Sequence, residues 1–278
     1  MPVEDKLLDV AKEATKVIAK DVYTDGGKPI LKPTGELIGL VPRAIRAAFL
    51  PLEKWILNRE YNLEETKKLL EEKLKDVPPE RIEPPEAYIA VPALQYLSYC
   101  MDNHELRDMY ANLLAKSMDS VVKNGVHPGF VEIIKQLCPD EAKLLRYMSH
   151  HYTVPTVTLR YENEKGEGIE VVKNFSNIGD LTSCEEPLNI CVYFDNLIRL
   201  GLLKESPVYS SLVNKSLYEP LKEHHYFKMC AEHAARVIPD HKIAKFSENY
   251  LELTEYGKRF CHTCITTPND ITPIEVPV

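Results

Sequence analysis

The sequence predicts a mainly α protein in two parts. An N-terminal helical bundle is expected over residues 1–138. A winged-helix-like α+β domain is expected over 139–278, with a β-hairpin and an irregular insertion at 205–248. Three observations carry this. Apolar residues recur at helical spacing through most of the first 150 positions. The period then falls to two across TVPTVTLRYENEKG and GIEVVKNFSNIG. Last comes the order helix, LIRLGLL, a returning strand YLELT and a terminal helix, which is winged-helix-like.

The elements follow in order. Leu7, Val10, Ala11, Ala14, Val17, Ile18 and Val22 share one face of a first helix, and Asp25-Gly26-Gly27 with Pro29 stops it. Thr34 can cap the next segment. That segment, GELIGLVPRAIRAAFLPLEKWILNRE, is the most apolar in the chain, with its inner charges Arg43, Arg46, Glu53 and Lys54 in one narrow stripe. Pro42 and Pro51 should kink or divide it. A charged amphipathic helix is expected at 63–75, then a connector set by Pro78, Pro79, Pro84 and Pro85. Helices should follow at about 89–101, 103–121, 127–137 and 139–150. The hairpin turns near Glu164-Lys165-Gly166. An amphipathic helix, EPLNICVYFDNLIRLGLLKE, ends at Gly201 and gives way to a short strand, Leu202-Leu203-Lys204.

Composition narrows the function classes. The chain has 278 residues, 44% hydrophobic and 27% charged, as in soluble globular proteins. Its net charge of −8 argues against a general binder of nucleic acid or anionic lipid, whose affinity would rest on Lys and Arg. Seven cysteines are an odd number, and the first residues lack an uninterrupted apolar run of the signal-peptide kind. The expectation is a cytoplasmic protein with free thiols.

The stretch NGVHPGFVEIIKQLCPDEAKLL (124–145) holds His127, Cys138, Asp140 and Glu141, all of types that catalyse or bind metals. Pro139 suits a first helical turn, and Asp140 and Glu141 place negative charge where the helix dipole favours it. His127 and Cys138 sit at opposite ends of one expected helix, roughly 16 Å apart at 1.5 Å per residue. The stretch therefore reads as a joint between helices. Cys230-x-x-His233 and Cys261-x-x-Cys264 have the paired spacing of a tetrahedral zinc site, with His224, His225 and His262 nearby. Against that, Cys230 and His233 lie in the helical-looking MCAEHAARV, and Cys264 would face a core, so buried thiols are the preferred reading and no metal is assigned. Glu60, Glu64, Glu65, Glu71 and Glu72 read as a solvated face. No G-x-S-x-G, P-loop, H-E-x-x-H or Rossmann pattern occurs, so no enzyme and no cofactor is expected.

Two interaction surfaces remain. Arg43, Arg46 and Trp55 on the apolar 35–57 segment could meet a membrane, although Glu53 interrupts the basic face. The helix near 188–204 offers Asn189, Asn196, Arg199 and Lys204 beside the repulsive Asp195, and KNFSNIG is the candidate wing with one Lys. That is thin for a DNA reader and fits protein contact better.

The runs ELRDMYANLLAKSMD (105–119) and VHPGFVEIIKQLCPDEAKLLRYM (126–148) resemble the signature of the Abi-alpha family of bacteria, named for abortive infection. GELIGLVPRAIRAAFLPLEKWI, LIRLGLL and LTEYGKRF are similar to its flanking parts, so the resemblance spans about residues 30–265. It implies a role in phage defence and carries over no catalytic residue. The expected function is non-enzymatic abortive infection through a protein partner or self-association. The alternatives are a winged-helix DNA-binding regulator and a membrane-active effector using 35–57.

Overall fold

The structure, a computed structural model, describes residues 60–207 and 211–266. The described chain divides into two units: residues up to Leu137 with those from Thr263, and Cys138–His262. The helix expected near 4–23 and the apolar 35–57 segment, with Arg43, Arg46 and Trp55, lie outside the described residues.

The first unit is helical among its described residues. Helix α1 (Glu60–Leu74) buries Thr66, Leu70 and Leu74, spaced by four so that they stack on one face. A bidentate pair from Arg81 to Asp119, 3.0 Å from Nε and 2.5 Å from Nη2, then ties the proline-rich connector to the end of α3. Helix α2 (Ala87–Leu97) carries no charge and buries Ile89, Ala90, Ala93, Leu94 and Leu97. Helix α3 (His104–Ser117) starts at Asn103, whose side chain accepts the Leu106 N–H at 2.9 Å. It ends earlier than expected because the chain turns at Met118 to bring Asp119 to Arg81. Helix α4 (Gly129–Lys135) starts after His127, whose Nδ1 accepts the Gly129 N–H. Buried Tyr110 donates to the Val131 carbonyl, and buried Asn112 donates to the Cys264 carbonyl at 3.0 Å.

The second unit opens with α5 (Pro139–His151) and then strands β1 (Thr153–Glu162) and β2 (Gly168–Phe175). Their turn is closed by Asn163, whose side-chain oxygen accepts the Lys165 and Glu167 N–H groups, with Gly166 at φ +79°. Helices α6 (Ile178–Leu181) and α7 (Ile190–Arg199) follow, and Gly201 at φ +72° ends α7. Next come β3 (Leu203–Glu205), α8 (Glu219–Lys222), α9 (His225–Val237), β4 (Ile243–Leu253) and α10 (Glu255–Cys264). The sheet is antiparallel, in the order β2-β1-β4-β3. Strand β1 is central, pairs with β4 along its whole length and buries residues on both faces. At Gly257 a Cβ would lie 2.1 Å from the Leu202 carbonyl oxygen, so the start of α10 can approach β3 only as glycine.

The fold class is therefore α+β, and the expectation of a mainly α chain built on an N-terminal bundle is corrected. A four-stranded sheet of 10-, 8-, 3- and 11-residue strands organises the second unit. The expected short return strand YLELT is only the end of the 11-residue β4. Its outer half, Ile243–Ser247, is exposed on both faces and so lacks the apolar alternation that marks a half-buried strand. The insertion at 205–248 is not irregular throughout, since α9 and half of β4 lie in it. Helix α9 buries only Phe227, Cys230 and Ala234, too narrow a stripe to stand out among its His and Tyr neighbours. Among the described residues no helix is long and apolar enough to cross a membrane.

Candidate functional site

Two clusters of chemically capable side chains form within the second unit. The first is the start of α5. Asp140 and Glu141 are both buried. Asp140 accepts the backbone N–H of Glu185 at 2.9 Å and of Glu186 at 3.1 Å, the Tyr193 hydroxyl at 3.0 Å and the Lys143 ammonium at 3.1 Å. Burial pushes its carboxyl up, but those donors outweigh burial and hold it below the usual range. Glu141 accepts the Cys138 N–H at 2.8 Å and the Asn196 amide at 2.7 Å. Burial dominates there and raises its carboxyl against those two bonds. Burial also pushes the Cys138 thiol up to about 11, away from the thiolate a nucleophile needs. One carboxylate thus pins the 185–186 loop and α7, and its neighbour caps α5 while gripping α7.

The second cluster surrounds the start of α9. His224 Nδ1 accepts the Tyr226 N–H at 3.2 Å, and its Nε2 meets Asp180 at 3.3 Å. This is an Asp–His pair, but both ring nitrogens are occupied, one of them in capping a helix. Burial lowers the His224 pKa, with Asp180 opposing and His225 adding to the shift. Phe175 stands 4.9 Å from the His224 ring, 5.1 Å from Tyr226 and 4.9 Å from Phe227, and Phe227 meets Phe246 of β4 edge-on at 5.0 Å. Burial raises the thiols of Cys230 and Cys191, the latter to about 11. Asp180 and His224 are 44 positions apart, and no periodicity links them. Only the run HHYF at 224–227, dense in rings, marked the place.

The expected site residues go elsewhere. Cys230 lies in the buried stripe of α9, while His233 is exposed. Cys261 is buried with its sulfur 3.9 Å from the Leu145 carbonyl, and burial pushes its thiol up to about 12. Cys264 is buried at the end of α10. Among the described residues no three His, Cys, Asp or Glu side chains gather to hold a metal ion. Asn196 donates to Glu141 and accepts from Arg199, and Lys204 pairs with Glu252 at 2.9 Å. The three residues expected to present a binding face from α7 and β3 are thus engaged within the chain.

The sequence matches the family described as Abortive infection alpha over residues 58–264, three quarters of its length. The chain belongs to this family. The two runs that resemble the family's signature, 105–119 and 126–148, lie within the matched residues and run through α3, α4 and α5. Their Met109, Leu113, Leu114, Met118, Phe130, Ile133, Ile134 and Leu137 are buried, and their Asp140 and Glu141 form the carboxylate network above. No curated protein matches the sequence. A solved structure, the uncharacterized protein of the hydrocarbon-degrading marine bacterium Alcanivorax borkumensis, is similar at 19% identity and a TM-score of 0.37. The likeness covers 49% of this chain and 92% of that one.

Proposed function

We propose that this abortive infection alpha protein acts in phage defence as a non-enzymatic, cytoplasmic binding protein. Its product would be a complex with another protein that halts the infected cell. Membership of the family supports the defence role. The observation that carries binding over catalysis is the state of the side chains suited to chemistry. Asp140, Glu141 and His224 are each held by named structural bonds, and the thiols of Cys138, Cys191 and Cys230 are raised by burial. Large apolar side chains stand in water instead: Leu181 on α6 is 63% exposed, Val192 on α7 64% and Met229 on α9 55%.

The test is plating a broad phage panel on cells with and without the gene, beside cells carrying Val192→Glu with Met229→Glu. Both positions are exposed, so the double variant should fold. The expected result is at least a tenfold drop in plaques for the wild type and lost protection for the variant. Equal plaque counts with and without the gene overturn the defence role. Full protection by the variant overturns binding through these side chains.

A further inference from the structure

Two hydroxyls of the sheet are shut from solvent without a protein partner. Thr156 on β1 is 0% exposed, and Ser176, the residue just past β2, is 1% exposed. Among the described residues, neither hydroxyl oxygen makes a hydrogen bond. A buried hydroxyl left unbonded is costly, so such groups in folded proteins nearly always have a partner, from the protein or from an internal water.

The register brings the two together. Val157 pairs with Phe175, so one step on Thr156 stands opposite Ser176. On its other side Thr156 pairs with Asn249 of β4. Directly opposed residues point to the same face of a sheet, and successive residues alternate. Phe175 lies on the face where it meets Phe227, so Ser176 turns to the opposite face. Ser176, Thr156 and Asn249 thus form one row across β2, β1 and β4. The neighbouring row is in a different state. Thr158 Oγ1 accepts the Asn174 N–H at 3.2 Å and the Asn249 amide at 3.4 Å. The amide nitrogen of Asn249 is committed there, which leaves its oxygen as an acceptor.

We infer that Thr156, Ser176 and Asn249 hold one internal water molecule. Each hydroxyl offers one proton and two lone pairs, and the amide oxygen only accepts. A water can therefore accept from one hydroxyl while donating to the other and to the amide. Three partners are the usual number for a buried water. Opposed Cβ atoms stand about 4.5–5.5 Å apart, a spacing that one water between two short side chains can bridge. A metal ion would ask for charged oxygens, and among the described residues no three acidic or metal-binding side chains gather. The water carries the link between β2, β1 and β4 one row past the last paired residues of β1 and β2. This site stands apart from the defence role and does not depend on it.

The test is a high-resolution crystal structure of the full-length protein, beside urea unfolding of Thr156→Val, Ser176→Ala and the double variant. The structure should show a water within hydrogen-bond distance of both Thr156 Oγ1 and Ser176 Oγ. Thr156→Val keeps the shape of the side chain and strips the water of one partner, so the urea midpoint should fall. Ser176→Ala should lower it too, and the double variant should lose less than the sum, because both changes act on one molecule. Two hydroxyls bonded directly to each other, or neither bonded to a water, overturn the inference. A urea midpoint raised by Thr156→Val also overturns it, because removing a hydroxyl that truly has no partner relieves a cost. The wild-type structure decides the matter even where a variant fails to fold.

Discussion

Replacing Asp140 by alanine is the most direct probe of how the second unit is held. The carboxylate accepts four donors, and the change takes this acceptor from all four, with the Lys143 ammonium keeping its bond to the Ser183 carbonyl. They are not equal. The Lys143 ammonium can turn to water at little cost. The Glu185 and Glu186 side chains are exposed, so water reaches their N–H groups in part, at about 1 kcal/mol each. The Tyr193 hydroxyl is buried and has no such exit, at about 1–2 kcal/mol. The lost charge at the start of α5 adds about 0.5 kcal/mol. The total is about 3.5–4.5 kcal/mol, measured as the change in urea-unfolding free energy by circular dichroism. Tyr193→Phe alone should cost about 1 kcal/mol, and the double variant less than the sum, because the two share a bond. A loss under about 0.5 kcal/mol for Asp140→Ala, or strict additivity, refutes the account.

The neighbouring carboxylates should respond to pH in opposite senses. Asp140 is held below its unfolded value. Its contribution is present above about pH 4 and lost as pH falls through the folded value. Glu141 is raised, so the folded state binds the extra proton, and stability falls as pH rises from about 4 through the folded value. Glu141→Gln should therefore steepen the gain in stability with rising pH in acid, and an unchanged slope in the urea midpoint against pH counts against the assignment. Gly257→Ala sets a Cβ against the Leu202 carbonyl oxygen at 2.1 Å, too close for either to stay in place. The expected loss is about 2–3 kcal/mol despite the better helix propensity of alanine, and a thermal melt matching the wild type would exclude that close approach.

Local rules carried a good deal of this fold. Pro139, Asp140 and Glu141 obey the chemistry of a helix start, and the structure puts α5 there. The turn at 163–166 was legible because Asn and Gly serve it in a way few residues can. What escaped depended on distant partners. That Asp140 holds residues 45 and 46 positions downstream, besides capping, has no trace in the local pattern. The partners of Asn196 and Lys204, Glu141 and Glu252, come from elsewhere in the chain and leave no mark on the local pattern. The outer half of β4 was hidden for a different reason. A strand that buries neither face has no apolar alternation to read, and only its ladder with β1 shows that it is a strand.

The place of β1 between β2 and β4 also bears on how the protein is born. Its pairing with β2 closes over a few residues, since Glu162 meets Gly168. Its pairing with β4 spans between 243 − 162 = 81 and 252 − 153 = 99 positions. A ribosome adding about 5–20 residues per second needs roughly 5 to 20 seconds to supply that second partner. Through that interval the nascent chain carries a strand with Val154, Val157 and Leu159, all buried in the finished protein, and one side unzipped. Its yield in the cell should then depend on translation speed across 163–253 and on chaperones that shield the waiting hairpin.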